Sequence, residues 1–341
     1  MNLEESYQAL GLRRGASLEE VRRSYYRLVK FFHPDRHQAS PGLLRKATEE
    51  TKQLNLAYER ICKVIGKVRA SEPEKPTQEK PSRAKGAGNP PIPGQSFIVP
   101  CCGVKLNWVD PGRFRMGSPA GESGRSNDEG PQTEVTFSSG FWLGTFPVTQ
   151  EEWKAMACEE SGLKIGPSYF RGNRLPVEQV SWDDCQQWLQ ALNKVEEAGQ
   201  RLLHSFQYRM PTEAEWEFAC RSGSDARFHF GDSDEQLGEY AWYTGNSRSK
   251  THPVGEKKAS AWGFYDMHGN IWEWCGNRYG GPLPGGRVLD PRGRALGVNR
   301  VFRGGSWGVA ASRCRSAYRV WNKPGYRDYT LGFRVALARV D

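Results

Sequence analysis

Residues 67–95, KVRASEPEKPTQEKPSRAKGAGNPPIPGQ, contain no aromatic residue and few aliphatic ones. Pro, Lys, Glu and Gly dominate, so the stretch cannot bury a core and is expected to be extended and mobile. A chain of 341 residues interrupted in this way must fold as two bodies, 1–66 and 96–341. The chain's 12 Trp and 38 Gly suggest loop-rich structure held by aromatic packing. No apolar run approaches ~20 residues, so no membrane span and no membrane partner are expected. The start, MNLEESYQALGL, lacks the basic and apolar parts of a secretion signal. A cytoplasmic location is expected, with the cysteines mostly reduced. None of the eight cysteines forms C-x-x-C and no His stands at zinc spacing from them, so no structural zinc is expected. The adjacent Cys101 and Cys102 read as small residues buried in a strand or turn.

Charge is unevenly placed. Residues 1–95 hold 18 Lys+Arg against 11 Asp+Glu, which is +7 of the net +9. Residues 300–341 are also basic, so the middle of the chain is acidic overall.

In the first body, Ser17-Leu-Glu-Glu20 is a capping box that starts a helix. Val21, Tyr25, Leu28 and Phe32 then fall on one buried face. Arg22, Arg23, Arg27 and Lys30 lie away from it. Pro34 pushes His33 out of helical geometry, so the helix is expected to stop near Phe32. A second helix places Leu54, Ala57, Ile61 and Val64 inward, which makes a helical hairpin with a loop at its tip. With Tyr7-Gln-Ala-Leu10-Gly11-Leu12, the tripeptide His33-Pro34-Asp35 and Gln53-Leu-Asn55-Leu-Ala57-Tyr58, residues 3–66 resemble a J-domain of the DnaJ family. The resemblance implies docking on a DnaK-type chaperone through Arg22, Arg23, Arg27, Lys30, His33, Pro34 and Asp35, with stimulation of its ATP hydrolysis. No Gly/Phe-rich region or zinc ribbon follows, so client choice falls to the second body. Nucleic acid is not expected as a partner, because the basic stripe lacks interleaved aromatics and a second anchoring element.

In the second body, capping boxes stand at Thr149–Glu152, Ser181–Asp184 and Thr212–Glu215. The helix after Ser181 should bury Cys185, Trp188 and Leu192. Short strands such as Phe114–Met116, Glu134–Phe137 and Phe141–Gly144 alternate with these helices and with long loops, so the class is α+β. The stretch Arg303–Val335 is rich in Arg, Tyr, Trp, Ser and Gly and is broken by Gly304-Gly305 and Pro324-Gly325, so it is neither one helix nor one hairpin.

From about Phe97 to Val340 the chain resembles the formylglycine-generating enzyme (sulfatase-modifying factor) superfamily. The matching motifs are Met116-Gly-Ser118, Pro147-Val-Thr149, Pro176 to Trp182, Met210 to Trp216, Gly269-Asn-Ile-Trp-Glu-Trp274, Gly304-Gly-Ser306, Cys314-Arg315 with Arg319, and Gly332-Phe-Arg334. The resemblance implies a C-type-lectin-like fold. It also implies calcium held by Asp266, Gly269, Ile271 and Glu273; oxygen ligands suit that ion. The alternative is a Trp-rich turn in which Glu273 caps backbone amides. A second calcium site is not expected, since Trp242 stands where its loop would begin with Asn.

The family's oxidases hold copper between two thiolates five residues apart, a donor set that a cuprous ion prefers. By this resemblance the second position is Cys314 and the first is Val309, which has no donor. Copper and oxidase activity are therefore not expected. The rival reading keeps a copper oxidase acting on cysteine, with Cys314 and Ser306 as its residues and a second ligand from Cys101, Cys102 or a partner. No iron triad or P-loop is present.

The expected framework is Arg303–Trp307, Cys314–Ala317, Arg319 and Gly332–Val335. Between its parts lies a rim for an unidentified protein or ligand: Trp307, Val309, Arg313, Tyr318, Trp321, Asn322, Tyr326, Asp328 and Tyr329. Tyr, Trp and Arg are what binding surfaces favour. The rim also resembles the variable proteins of diversity-generating retroelements, with ordinary family divergence as the alternative. The sequence thus reads as a J-domain adaptor on a non-catalytic lectin-like binding body.

Overall fold

The computed structural model describes residues 2–16, 20, 21, 24, 28, 49, 50, 53, 54, 56–58, 60, 61, 90–158, 161–294 and 296–340. Contacts divide the chain into two units, Met1–Ser82 and Arg83–Asp341.

In the first unit, the helix Leu3–Ala9 opens on a capping box. The Asn2 side chain accepts from the Glu5 amide, and the Glu5 carboxylate accepts from the Asn2 amide. Tyr7 and Leu10 pack with Val21, Leu54, Ala57 and Ile61 in one apolar cluster, and Leu28 lies against it. This is the inward face read from the periodicity. Tyr25, Phe32, Val64 and the Ser17 cap lie outside the described residues, as does the stretch 67–89.

The second unit holds three sheets. The first has the order β1 (Phe97–Ile98), β2 (Lys105–Val109), β5 (Phe141–Gly144), β12 (Ala336–Arg339) and β6 (Phe206–Arg209). The second runs β10 (Val320–Asn322), β9 (Arg300–Arg303), β7 (Trp272–Arg278) and β11 (Leu331–Phe333). The third joins β3 (Gly112–Met116), β4 (Thr133–Phe137) and β8 (Gly286–Leu289). Helices span Gln150–Met156, Trp182–Ala198, Glu213–Arg221 and Leu237–Tyr240. The first three of these helices start at Thr149, Ser181 and Thr212, each with a reciprocal capping box. The α+β expectation holds for this unit.

Aromatic packing does hold the body. Trp142, Trp153, Trp188, Trp216 and Trp274 are fully buried. A buried indole N–H left without an acceptor is costly. Here each donates: Trp142 to Gln95 O, Trp153 to Lys164 O, Trp188 to Trp153 O, Trp274 to Val180 O and Trp216 to the Glu273 carboxylate. Cys101 and Cys102 sit half-buried in the turn between β1 and β2.

Candidate functional site: an aromatic rim on buried arginines

β9 ends at Arg303 and delivers the chain into Gly304 and Gly305, both at positive φ. A Cβ on Gly305 would meet Cys314 Sγ at 2.6 Å, so only glycine lets the turn close over that thiol. Beneath the turn lie four arginines. Arg303, Arg315 and Arg334 are wholly buried and Arg319 nearly so. Arg303 pairs with Glu217 and donates to the carbonyls of Ser316, Ala317 and Tyr318. Arg315 grips Glu129 at 2.7 and 2.8 Å and also reaches Glu122. Arg319 is bidentate on Glu213 at 2.6 and 2.8 Å. Planar guanidinium forks fit carboxylates in this way, and removing one partner would strand a buried charge. These arginines hold loops together and leave none of their charge for a ligand.

The exposed residues come between these pillars. Gly308, Ala310, Arg313, Trp321, Tyr326 and Tyr329 are exposed; Trp307, Val309, Tyr318, Val320, Asn322, Asp328 and Thr330 are half-buried. They do not form one patch. Trp321 lies on β10, one edge of the second sheet, where it stacks on Tyr279 at 5.0 Å. Tyr329 leads into β11 at the opposite edge and stacks on Trp307 at 5.5 Å. The rim therefore has two aromatic groups.

The group around Tyr329 recruits residues that the motif reading missed. Tyr169 lies 6.2 Å from Tyr329, and Phe170 meets Trp307 edge-on at 5.7 Å. The adjacent aromatics within GPSYFRGNR, a polar Gly/Pro loop, were the available signal. Tyr169 is 70% exposed, Tyr329 45% and Tyr326 38%. Asp328 braces this edge, accepting from the Thr330 amide at 2.8 Å and the Tyr326 hydroxyl at 3.1 Å. The wholly buried Glu178 accepts from the Phe170 amide at 2.9 Å through Oε1, and its Oε2 has no partner. Burial pushes this carboxyl up to about 7, opposed by the Tyr169 and Phe170 amides and the Arg171 charge, while the Asp328 charge adds to the rise.

Cys314 is buried against Phe228, Leu237 and Ala241, and its Sγ faces Ala310 O at 3.7 Å. Burial pushes its thiol up to about 12. Val309 packs against the same apolar cluster, and Ser306 is buried, its hydroxyl accepting from the Gly308 amide. Cys101 and Cys102 pack on a different core cluster. One thiol beside an apolar Val309 does not fit the two-thiolate copper set.

The calcium set fits poorly as well. Both Glu273 oxygens are taken: Arg334 donates to Oε1 at 2.7 Å and to Oε2 at 2.9 Å, and the Trp216 indole adds 2.7 Å on Oε2. The Gly269 carbonyl accepts from the Ile271 amide. Asp266 accepts from the Gly255 amide through Oδ2 and leaves Oδ1 without a partner, and burial pushes its carboxyl up to about 6. The cation that Glu273 faces here is Arg334. The expected chaperone-docking residues, Arg22, Arg23, Arg27, Lys30, His33, Pro34 and Asp35, lie outside the described residues.

Two clefts, of about 550 and 400 Å³, are lined by other parts of the body, including Gln186, Arg209 and Glu215 for the first and Met116, Leu283 and Val288 for the second. Neither contains an exposed rim residue. No helix among the described residues is long and apolar enough to cross a membrane.

Comparison with known proteins agrees with this geometry. The profile of the sulfatase-modifying factor enzyme 1-like domain matches residues 104–339, and that of the DnaJ domain matches residues 5–64. The chain is 30% identical to the serine/threonine-protein kinase pkn1 of Chlamydia caviae, over 68% of this chain and 38% of that protein, so it spans well under half of that relative's length. It is 33% identical to the formylglycine-generating enzyme of Thermomonospora curvata, over 54% of this chain and 60% of that one. Among solved structures, variable protein 1 of Treponema denticola superposes with a TM-score of 0.60 at 29% identity, covering 71% of this chain and 98% of that chain. The C-type-lectin-like expectation therefore stands.

Proposed function

The chain belongs to the sulfatase-modifying factor enzyme 1-like domain family and carries a DnaJ domain ahead of that fold, and from this we propose that it works as a J-domain adaptor. Its lectin-like body binds a protein or other ligand through the rim between Ser306 and Thr330. Its J-domain recruits a DnaK-type ATPase to what is bound, in the cytoplasm. The observation that carries this reading is the division of labour in the rim. The motif arginines are buried and paired with carboxylates, while the residues between them present exposed Tyr and Trp side chains. Large rings with few rotatable bonds give contact area at low entropic cost. The likeness to a Treponema denticola protein titled a variable protein supports a diversified binding role.

The other reading is a copper oxidase acting on cysteine of a target protein, as the name formylglycine-generating enzyme suggests for one relative. The donor set weighs against it, since Val309 offers no ligand and Cys314 is buried with its thiol protonated at neutral pH.

The test is a pull-down from the native host with the whole chain and with a Tyr326→Ala, Tyr329→Ala variant of unchanged melting temperature. The adaptor reading expects a partner captured by the parent and lost by the variant, with a DnaK-type chaperone in the same eluate. Stoichiometric Cu(I) bound through Cys314, with aldehyde formed on a cysteine peptide, would overturn it.

A further inference from the structure

Four rings close a circuit on the rim. Tyr169 meets Phe170 at 5.0 Å, Phe170 meets Trp307 at 5.7 Å, Trp307 stacks on Tyr329 at 5.5 Å, and Tyr329 returns to Tyr169 at 6.2 Å. Aromatic faces carry negative potential and attract cations. Elsewhere in this body the chain's own cations use that attraction. Lys257 sits 3.9 Å over Trp242, and Arg300 sits 3.7 Å over Trp182. Among the described residues, no Lys or Arg sits over any of the four rim rings. Two carboxylates belong to the same edge. Asp328 precedes Tyr329 in the chain, and Glu178 holds the Tyr169–Phe170 turn from below through the Phe170 amide. Glu178 is wholly buried and its Oε2 lacks any partner, which an ionised carboxylate tolerates poorly. The nearby guanidinium groups are otherwise engaged: Arg327 is bidentate on Asp184, and Arg171 donates to Gly166 O.

We propose that this edge of the rim is a site for a cationic side chain, an Arg or Lys of a partner peptide, seated on the faces of Tyr169, Trp307 and Tyr329 with Asp328 and Glu178 as its counter-charges. The proposal rests on the rim-binding reading above and names the chemistry of its ligand. A bound cation would add positive charge near Glu178 beyond that of Arg171. Of the charged groups facing Glu178, Arg171 favours its ionised form and Asp328 opposes it. The cation prefers that ionised form, so its affinity should rise with pH across the range in which Glu178 titrates, near 7.

The test is surface plasmon resonance on the full chain, with an acetylated Gly-Arg repeat peptide against the same peptide carrying citrulline, the neutral isostere of arginine. The expected result is that the citrulline peptide binds at least about tenfold more weakly, and that Tyr329→Leu weakens the Arg peptide by a similar factor. The parent should bind the Arg peptide more tightly at pH ~8 than at pH ~6, and Glu178→Gln should flatten that difference. Melting curves for both variants show whether the fold is kept. Equal binding of the two peptides overturns the proposal, and so does a Glu178→Gln variant with an undiminished pH slope. If neither peptide binds while the rim still captures its native partner, the cation site fails and the adaptor reading survives. If the rim variant of the pull-down keeps every partner, the adaptor reading itself fails.

Discussion

The guanidinium of Arg334 lies across the carboxylate of Glu273 with Nη2 at 2.7 Å from Oε1 and Nε at 2.9 Å from Oε2, and neither side chain meets solvent. The same guanidinium donates to the carbonyls of Gly144 and Tyr265. One buried ion pair thus ties the end of β5, the strand β7 and the chain after β11 to each other. A buried pair of this kind contributes little over a packed apolar pair, but losing one partner strands the other charge. Its consequence is geometric: the loop from Gly304 to Thr330 hangs from fixed points.

Glu273→Ala should therefore lower stability by about 3–5 kcal/mol, the usual cost of breaking a buried pair. The drop in melting temperature should be the same in calcium and in chelator, because the carboxylate serves Arg334 and Trp216. A ligand held only by the folded state would instead add stability by mass action in calcium alone. A destabilisation confined to calcium buffer would restore the metal reading.

His33→Gln is expected to abolish stimulation of a DnaK-type ATPase, while the rim still captures its partner and the second unit melts as in the parent. The two functions are assigned to separate units of the chain, so they should separate by mutation. An ATPase assay with the variant stimulating as well as the parent would leave the DnaJ match without a function here.

Alkylation should sort the cysteines by burial. Cys158 is exposed, whereas Cys314 is buried with its thiol pushed up to about 12. At pH ~8 the thiolate fraction of Cys314 is on the order of one in ten thousand, and only the thiolate reacts. Iodoacetamide followed by peptide mass spectrometry should mark Cys158 within minutes and leave Cys314 unmarked until the protein unfolds. Early modification of Cys314 would show an open thiol and revive a metal-binding role.

The two aromatic groups of the rim should separate in binding. Trp321→Ala removes a ring stacked on Tyr279 at one sheet edge. The pair Tyr326→Ala and Tyr329→Ala empties the other edge. All three side chains are more than a third exposed, so each variant should stay folded, within about 1 kcal/mol of the parent. Partner capture should fall with the tyrosine pair and persist with Trp321→Ala. Equal losses from both would mean a ligand spanning the whole second sheet.

What the sequence disclosed was local. The capping boxes at Thr149, Ser181 and Thr212 need only residues three apart, and all three form. The framework arginines were legible as a motif, but their partners were not. Arg315 finds Glu129, Arg319 finds Glu213 and Arg303 finds Glu217 across long stretches of chain, and no spacing rule links them. The split of the rim was hidden for the same reason. Trp321 and Tyr329 are only eight positions apart in sequence but lead to opposite edges, because β9 and β7 lie between β10 and β11. The motif likewise names the Glu273 carboxylate and not Arg334, the cation that meets it.

Glu178 carries the last prediction. Its carboxyl rises from an ordinary 4.5 to about 7 on folding, first through burial. A raised carboxyl pKa means that the folded protein holds its proton more tightly than the unfolded chain. The associated stability is complete below about pH 4.5 and is lost as pH rises towards 7. The shift corresponds to roughly 3 kcal/mol of stability lost across that interval, at ~1.4 kcal/mol per pH unit. Glu178→Gln cannot ionise, and its amide oxygen can still accept from Phe170. Its stability should change less with pH than the parent's over the same range. The variant should therefore gain on the parent by about 2–3 kcal/mol between pH ~4.5 and pH ~8, whatever its offset at the acid end. Denaturant titrations at the two pH values measure this directly. Parallel pH profiles for parent and variant would show that Glu178 is not the titrating group, and the cation site would lose its buried counter-charge.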